Sequence, residues 1–257
     1  MRIATWNINS IRLRAHHIAN IDADIICIQE MKCQDAEVPI SQLEEMGFHH
    51  NHYRGQKAYN GVGIFSKLPL SEVEMLDFGG NDQARHISAK LPNGVRLHNF
   101  YIPAGGDEPD PAINASFAHK LQYVDDMTDY LKSLSGSHII LGDFNIAPFE
   151  HDVWSHKQLL KVISHTPIET EKLARTYKTL GWVDVSRHFV PMDEKCYSWW
   201  SYRNRDWRKS NRGRRLDHIW VTPDLKENLI NHQILADARD WEKPSDHVPV
   251  IMEIDIS

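Results

Sequence analysis

Asp143 and Asn145 stand two residues apart in GDFNIAP (Gly142 to Pro148), just past the apolar run His138 to Leu141. In an extended chain both side chains project to one face while Phe144 turns to the other. A carboxylate that accepts a proton beside an amide that holds water or an oxyanion suits hydrolysis. The same pair could instead satisfy a turn after a strand. Asp246 and His247 adjoin in PSDHVPV (Pro244 to Val250). An imidazole oriented by a carboxylate can donate to a phosphate-like oxygen, and a capped turn with a satisfied histidine is the plainer alternative. Glu30 follows Asp24 to Gln29, with Lys32 two residues on. It is a candidate ligand for a hard cation, or simply the ion-pair partner of Lys32. There is no H-E-x-x-H and no Cys/His cluster, whereas oxygen ligands abound, so magnesium or manganese fits and zinc does not.

A second signal lies between Tyr197 and Asp217. Residues 203–215 carry seven Arg/Lys and one Asp, a charge of +6 in a chain of net −6, which leaves the remainder at −12. Trp199, Trp200 and Trp207 are interleaved with these cations. Stacking faces beside cations are the ingredients of nucleic-acid contact. A charged loop over a tryptophan-rich core accounts for the tryptophans but less well for the charge, because like charges repel unless a polyanion neutralises them.

The elements that must position these groups are mostly strands. Ile3 to Trp6, Asp24 to Gln29, Gly61 to Phe65, Val95 to Tyr101, His138 to Leu141, Leu216 to Val221 and Val248 to Ile254 are short and apolar. Asn7, Glu30, Tyr101, Asp143 and Asp217 lie at their edges, as in a site built on a rigid scaffold. Helical spacing covers Ile11 to Ile21, Pro111 to Leu134 and Pro167 to Leu180, the last opening on the Thr166, Pro167, Glu169 capping pattern. The βαβ rhythm of a nucleotide-binding fold is missing, so two layered sheets covered by helices fit better. The 257 residues, 41% hydrophobic and 25% charged, exclude global disorder and suit one domain, 1–257. No apolar run approaches the roughly 20 residues of a membrane span. Three cysteines without a C-x-x-C pair argue for reduced thiols in a cytoplasmic protein. The joint reading is metal-assisted hydrolysis of a phosphodiester.

The chain resembles the exonuclease III family of abasic-site endonucleases, within the DNase I-like phosphoesterases. The resemblance is carried from end to end by ATWNINSIR, IQEMK, YNGVGIFSK, Arg85, YIPAG, LGDFNIAP, SWWSYR, NRGRRLD and PSDHVP. It implies an α/β, four-layer αββα sandwich of two mainly antiparallel sheets. It also implies a monomeric repair enzyme that cuts duplex DNA 5′ to abasic sites and trims or degrades 3′ ends. Carried over by motif, Glu30 is the chief magnesium ligand, helped by Asn7 and Asp246, with Asp143, Asn145 and His247 also at the metal site; manganese is expected to substitute. Asp143 activates water beside Asn145, His247 held by Asp217 contacts the scissile phosphate, and Tyr101 contacts phosphate or the leaving oxygen. Trp199, Trp207 and Leu216 wall a narrow apolar pocket for the extruded sugar, with Arg203 and Arg214 nearby and Lys32 and Arg85 on the substrate. Departures from the family's commonest pattern fall at Asn9, Ala104, Ser201 and the acidic GGDEPDP.

Overall fold

The computed structural model describes residues 1–256. Strands are numbered in chain order. One six-stranded sheet runs β13 (Leu229–Ile234), β14 (Val250–Ile254), β1 (Arg2–Asn7), β2 (Ile25–Gln29), β4 (Val62–Ser66), β3 (His50–Arg54). The other runs β5 (Ser71–Glu74), β6 (His86–Lys90), β7 (Arg96–Tyr101), β8 (His138–Asp143), β12 (Asp217–Val221), β9 (Val183–Asp184). A short ribbon pairs β10 (Trp199–Trp200) with β11 (Gly213–Arg214).

The layering follows from strands that are apolar on both faces. In β2, Ile25 and Cys27 enter the core between the sheets, where they meet Ile139 and Leu141 of β8 and Ile219 and Val221 of β12. Ile26 and Ile28 face the other way, against α1 (Ile11–Arg14) and α2 (Ile40–Glu45). Ile140 and Trp220 likewise face outward under α3 (Ala115–Lys132) and α5 (Pro167–Lys178). Short helices α4 (His156–Leu159), α6 (Val185–Phe189) and α7 (Trp207–Ser210) lie in the connections. The result is the αββα sandwich.

The buried polar groups of this scaffold include two connected sets on the central strands. Gln29 Nε2 crosses between the sheets to Asn99 Oδ1 at 2.6 Å, and Asn99 Nδ2 returns to the carbonyls of Ile28 (2.9 Å) and Gly63 (3.0 Å). On the outer face of the second sheet three histidines form a chain. The Leu76 amide donates to His86 Nδ1, His86 Nε2 meets His98 Nδ1 at 3.3 Å, and His98 Nε2 meets His138 Nδ1 at 3.2 Å. His138 Nε2 ends the chain on the Ser135 carbonyl. The amide at one end and the carbonyl at the other fix every neutral ring as its Nε2–H tautomer.

Some local expectations change. The helix expected over Ile11 to Ile21 breaks at Arg14 into α1 and a 3₁₀ segment, Ala15–Asn20. Arg14 is engaged there with the carbonyls of Ile8, Asn9 and Lys243. The helix expected from Pro111 begins only at Ala115, where the Asn114 side chain accepts from the amides of Ser116 and Phe117. The Thr166–Glu169 capping box forms as the sequence predicts.

Candidate active site

Within each sheet a central pair of strands is parallel, β1 with β2 and β7 with β8. Asn7 ends β1, Glu30 follows β2, Tyr101 ends β7 and Asp143 ends β8. Antiparallel β12 opens on Asp217, the register partner of Asp143, and His247 precedes β14. All six side chains meet at one rim of the sandwich.

Asn7 Nδ2 bridges the sheets, donating to Glu30 Oε1 and Asp143 Oδ2, both at 2.9 Å. The Tyr101 hydroxyl donates to Glu30 Oε1 (2.8 Å), and Asn145 Nδ2 donates to Asp143 Oδ2 (3.1 Å). His247 Nδ1 lies 2.9 Å from Asp217 Oδ2, and its Nε2 lies 3.7 Å from Asp143 Oδ2. The backbone is specialised here. Glu30 (φ 53°), Lys32 (φ 53°) and Asn145 (φ 52°) all adopt left-handed conformations, which cost a non-glycine residue about 1–3 kcal/mol and collect at functional sites. Beside Asp143, Gly142 has φ 135°, and a Cβ there would lie 1.9 Å from the Phe100 carbonyl oxygen. No larger residue can bring the strand to this turn.

Burial raises the pKa of both carboxylates, and their neighbours separate them. It raises the Asp143 pKa to about 7, with Asp217 adding to the rise and His247 opposing it. Burial also works against ionisation of Glu30, but Lys32 and the Asn7 amide outweigh it and hold the carboxyl below its ordinary value. For His247 burial favours the neutral ring, yet Asp217 and Asp143 raise its pKa to about 10. Burial, and then the Glu30 charge, hold Tyr101 protonated. The rim thus pairs a charged carboxylate with one poised near neutrality, and faces an imidazolium.

The donors suit a hard cation: oxygen groups with one imidazole and no thiol. Asp143, Asp217 and His247 each offer a ligand atom within 4.8 Å of the others, and Asp217 Oδ1 is buried without a hydrogen-bond partner among the described residues. Glu30 is the more accessible carboxylate, and the Lys32 ammonium already sits 2.6 Å from its Oε2. The Glu30 carboxylate fits a divalent ion as it stands, and the buried group fits one when His247 is the neutral ring.

The structure sorts the remaining sequence expectations. Lys32 joins Glu30 and also donates to Asn9 Oδ1 at 2.7 Å. Asp246 stands outside the cluster, with Oδ2 on Trp199 Nε1 (2.9 Å) and Oδ1 on Asn9 Nδ2 (3.2 Å). Arg85 lies over the Tyr101 ring at 4.6 Å. Trp199, with the Arg214 guanidinium 5.1 Å over its ring, packs against Leu216. Trp207 is corrected: it is buried against Trp200, ring to ring at 5.0 Å, and donates to Asp240 away from the cleft. Trp154, under Arg212 at 4.7 Å, stands in the cleft instead. Trp199 and Arg214 also border a larger hollow. It is an open cleft of about 520 Å³ whose lining includes Trp154, Ile163, Trp199, Arg203, Arg212 and Arg214.

The +6 strip is not all free charge. Arg215 is fully buried between Asp152 and Asp184, each at 2.8 Å. Arg208 pairs with Asp237 and Asp240. These cations are neutralised within the chain, so only part of the strip needs an external anion.

Sequence reasoning passed over the small residues that hold the site. Ser198 Oγ donates to Asp217 Oδ2 at 2.6 Å, and Ser245 Oγ donates to the Asn7 carbonyl while accepting from the His247 amide. Both sit inside motifs, SWWSYR and PSDHVP, but a serine's type alone does not announce such a role.

Residues 4–247 match the endonuclease/exonuclease/phosphatase family. Exodeoxyribonuclease III of Haemophilus influenzae is 32% identical over 271 residues, covering 98% of this chain and 99% of the relative. An AP endonuclease from Archaeoglobus fulgidus superposes with a TM-score of 0.92 at 31% identity, each chain covered in full. A 3′ phosphatase from Neisseria, bound to a product DNA hairpin, gives 0.90 at 31% identity over 99% of both chains.

Proposed function

The chain belongs to the endonuclease/exonuclease/phosphatase family, and from that premise we propose that it cleaves duplex DNA 5′ to abasic sites and trims 3′ ends with magnesium. It is a DNA-repair nuclease of the exodeoxyribonuclease III and AP-endonuclease type. One observation carries the finer reading: Glu30, Asp143 and His247, from distant parts of the chain, converge on one rim through Asn7 and Asp217.

Glu30 and the Asn7 side-chain oxygen would hold the magnesium ion in this reading, with Asp143 within reach. When bound, the ion would supply positive charge to the scissile phosphate. Asp143 takes the proton of the attacking water, whose position Asn145 fixes. His247, its ring set by Asp217, presents Nε2–H to a phosphate oxygen where negative charge accumulates. Tyr101 orients Glu30 through its hydroxyl. Trp199, Arg214 and Leu216 form the wall that receives the extruded sugar, which costs less to unstack than an intact base. Arg203 and Arg212 meet flanking phosphates. The chain acts as one catalytic unit and as a monomer, in the cytoplasm. Manganese substitutes at the same oxygen donors.

The test is product analysis on a duplex with one central abasic site, with and without magnesium, beside the undamaged duplex. Magnesium-dependent cleavage 5′ to the site, leaving a 3′-hydroxyl, is expected. Equal cutting of both duplexes, or cutting indifferent to magnesium, would reject the proposal.

A further inference from the structure

Lys120 of α3 and Glu169 of α5 form an ion pair at 2.5 Å with both side chains fully buried. A buried pair is a weak source of stability, since apolar residues of the same volume often serve as well. It can do what an apolar pair cannot, which is to direct hydrogen bonds. Besides Glu169, Lys120 Nζ reaches the carbonyls of Asn145 (2.8 Å) and Ala104 (3.2 Å). All three ammonium donors are thereby used. Glu169 accepts from the amides of Ser164 and Thr166 and from the Thr166 hydroxyl at 2.6 Å.

These bonds lead to opposite sides of the site. Asn145 adjoins Asp143, to which its side chain donates. Ser164 Oγ accepts from Arg214 Nη1 at 2.8 Å, as does the Ile163 carbonyl at 3.1 Å, and Arg214 is the cation over Trp199. The segments gathered by the pair contain unusual backbone: Asn145 (φ 52°), Ser164 (φ 90°) and Gly105 (φ 92°). A Cβ on Gly105 would lie 3.0 Å from Lys120 Cδ and 3.2 Å from Ile163 Cγ2, so the turn closes tightly over the lysine.

We propose that Lys120 and Glu169 are positioning residues that hold the hydrolytic turn at Asn145 and the cleft wall at Arg214 through one buried ion pair. The proposal rests on the functional reading above for the roles of those two ends. Lys120 serves the hydrolytic turn directly, whereas Glu169 serves the cleft wall through Ser164.

Steady-state kinetics on abasic duplex and residue-resolved amide exchange on the full chain test this with Lys120→Met and Glu169→Gln. Lys120→Met is expected to lower kcat roughly 10²-fold through misplacement of Asn145, with KM little changed. Exchange at the Asn145 amide should quicken. Glu169→Gln leaves both lysine–carbonyl bonds available and is expected to raise KM about tenfold with kcat preserved, and to quicken exchange at Ser164. Changes in kcat and KM that move together in both variants, in step with lost thermal stability, would overturn the proposal. So would unchanged exchange at both amides. Should a single variant not fold, Lys120→Met/Glu169→Gln replaces it, with lost protection at both amides expected and retained protection overturning the idea. A wild-type chain inactive on abasic DNA defeats the functional reading, while the exchange data still decide whether the pair fixes these turns.

Discussion

Asp143 and Asp217 face each other as register partners on the antiparallel pair β8–β12, both fully buried, and His247 closes on both, at 3.7 and 2.9 Å. A cationic ring between two opposed carboxylates offsets their mutual repulsion. The imidazolium is that ring, and Asp217 thereby fixes which way Nε2 points. Asp217→Asn is expected to keep the fold and lower kcat by about 10–100-fold, as loss of an orienting partner does. Retained kcat on abasic duplex would show that His247 needs no such partner.

Asp143→Asn keeps the bonds to Asn7 and Asn145 within geometric reach but cannot take a proton. Turnover should fall by about 10²–10⁴-fold while affinity for abasic duplex, read by fluorescence anisotropy, stays near wild type. Lost binding would instead make Asp143 structural.

Glu30→Ala removes the accessible carboxylate and frees Lys32 and Tyr101. Most activity should disappear, and the magnesium midpoint of what remains should move upward. An unchanged titration curve would take Glu30 off the ligand set.

The cations of the basic strip should separate into two kinds. Arg203→Gln with Arg212→Gln is expected to flatten the salt dependence of DNA binding by about 0.9 in log–log slope for each phosphate left without its arginine, with thermal stability unaltered. Arg215→Met should do the reverse, leaving Asp152 and Asp184 buried without their cation at a cost of about 3–5 kcal/mol. Matching salt slopes in wild type and the first variant would place those two arginines off the DNA.

The histidine chain gives stability its own pH dependence. Burial pulls the His86 pKa down to about 3, and it lowers His98 and His138 as well. The folded chain therefore binds fewer protons than the unfolded one below the ordinary histidine pKa of about 6.5. Its stabilisation is present above that value and is lost as pH falls from there toward about 3. Urea unfolding should report a decline of up to about 1.4 kcal/mol per pH unit for each such histidine. Replacing His98 with Gln should shallow that slope; an identical slope would mean that the chain does not carry it.

The central strands were legible because β2, β8 and β12 are apolar on both faces, and their polar ends named the site. Edge strands were not. His50–Arg54 and Leu229–Ile234 are half exposed and carry His and Asn, so they lack both an apolar run and a clean alternation. Motif blocks located Asp217 and His247, but spacing along the chain could not show that Trp207 turns inward while Trp154 faces the cleft. That choice depends on where α7 packs. Nor could composition tell Arg215 from Arg203, because the partners of Arg215 lie on other elements.

The cross-link of Gln29 with Asn99 lies one residue behind Glu30 on one sheet and two behind Tyr101 on the other. Sliding one sheet over the other would break three buried hydrogen bonds at once. The gap in which the phosphate is cut is therefore measured off by pleats, not by loops. Insertions or substitutions along the margin can change what is admitted and leave the cutting geometry as it was.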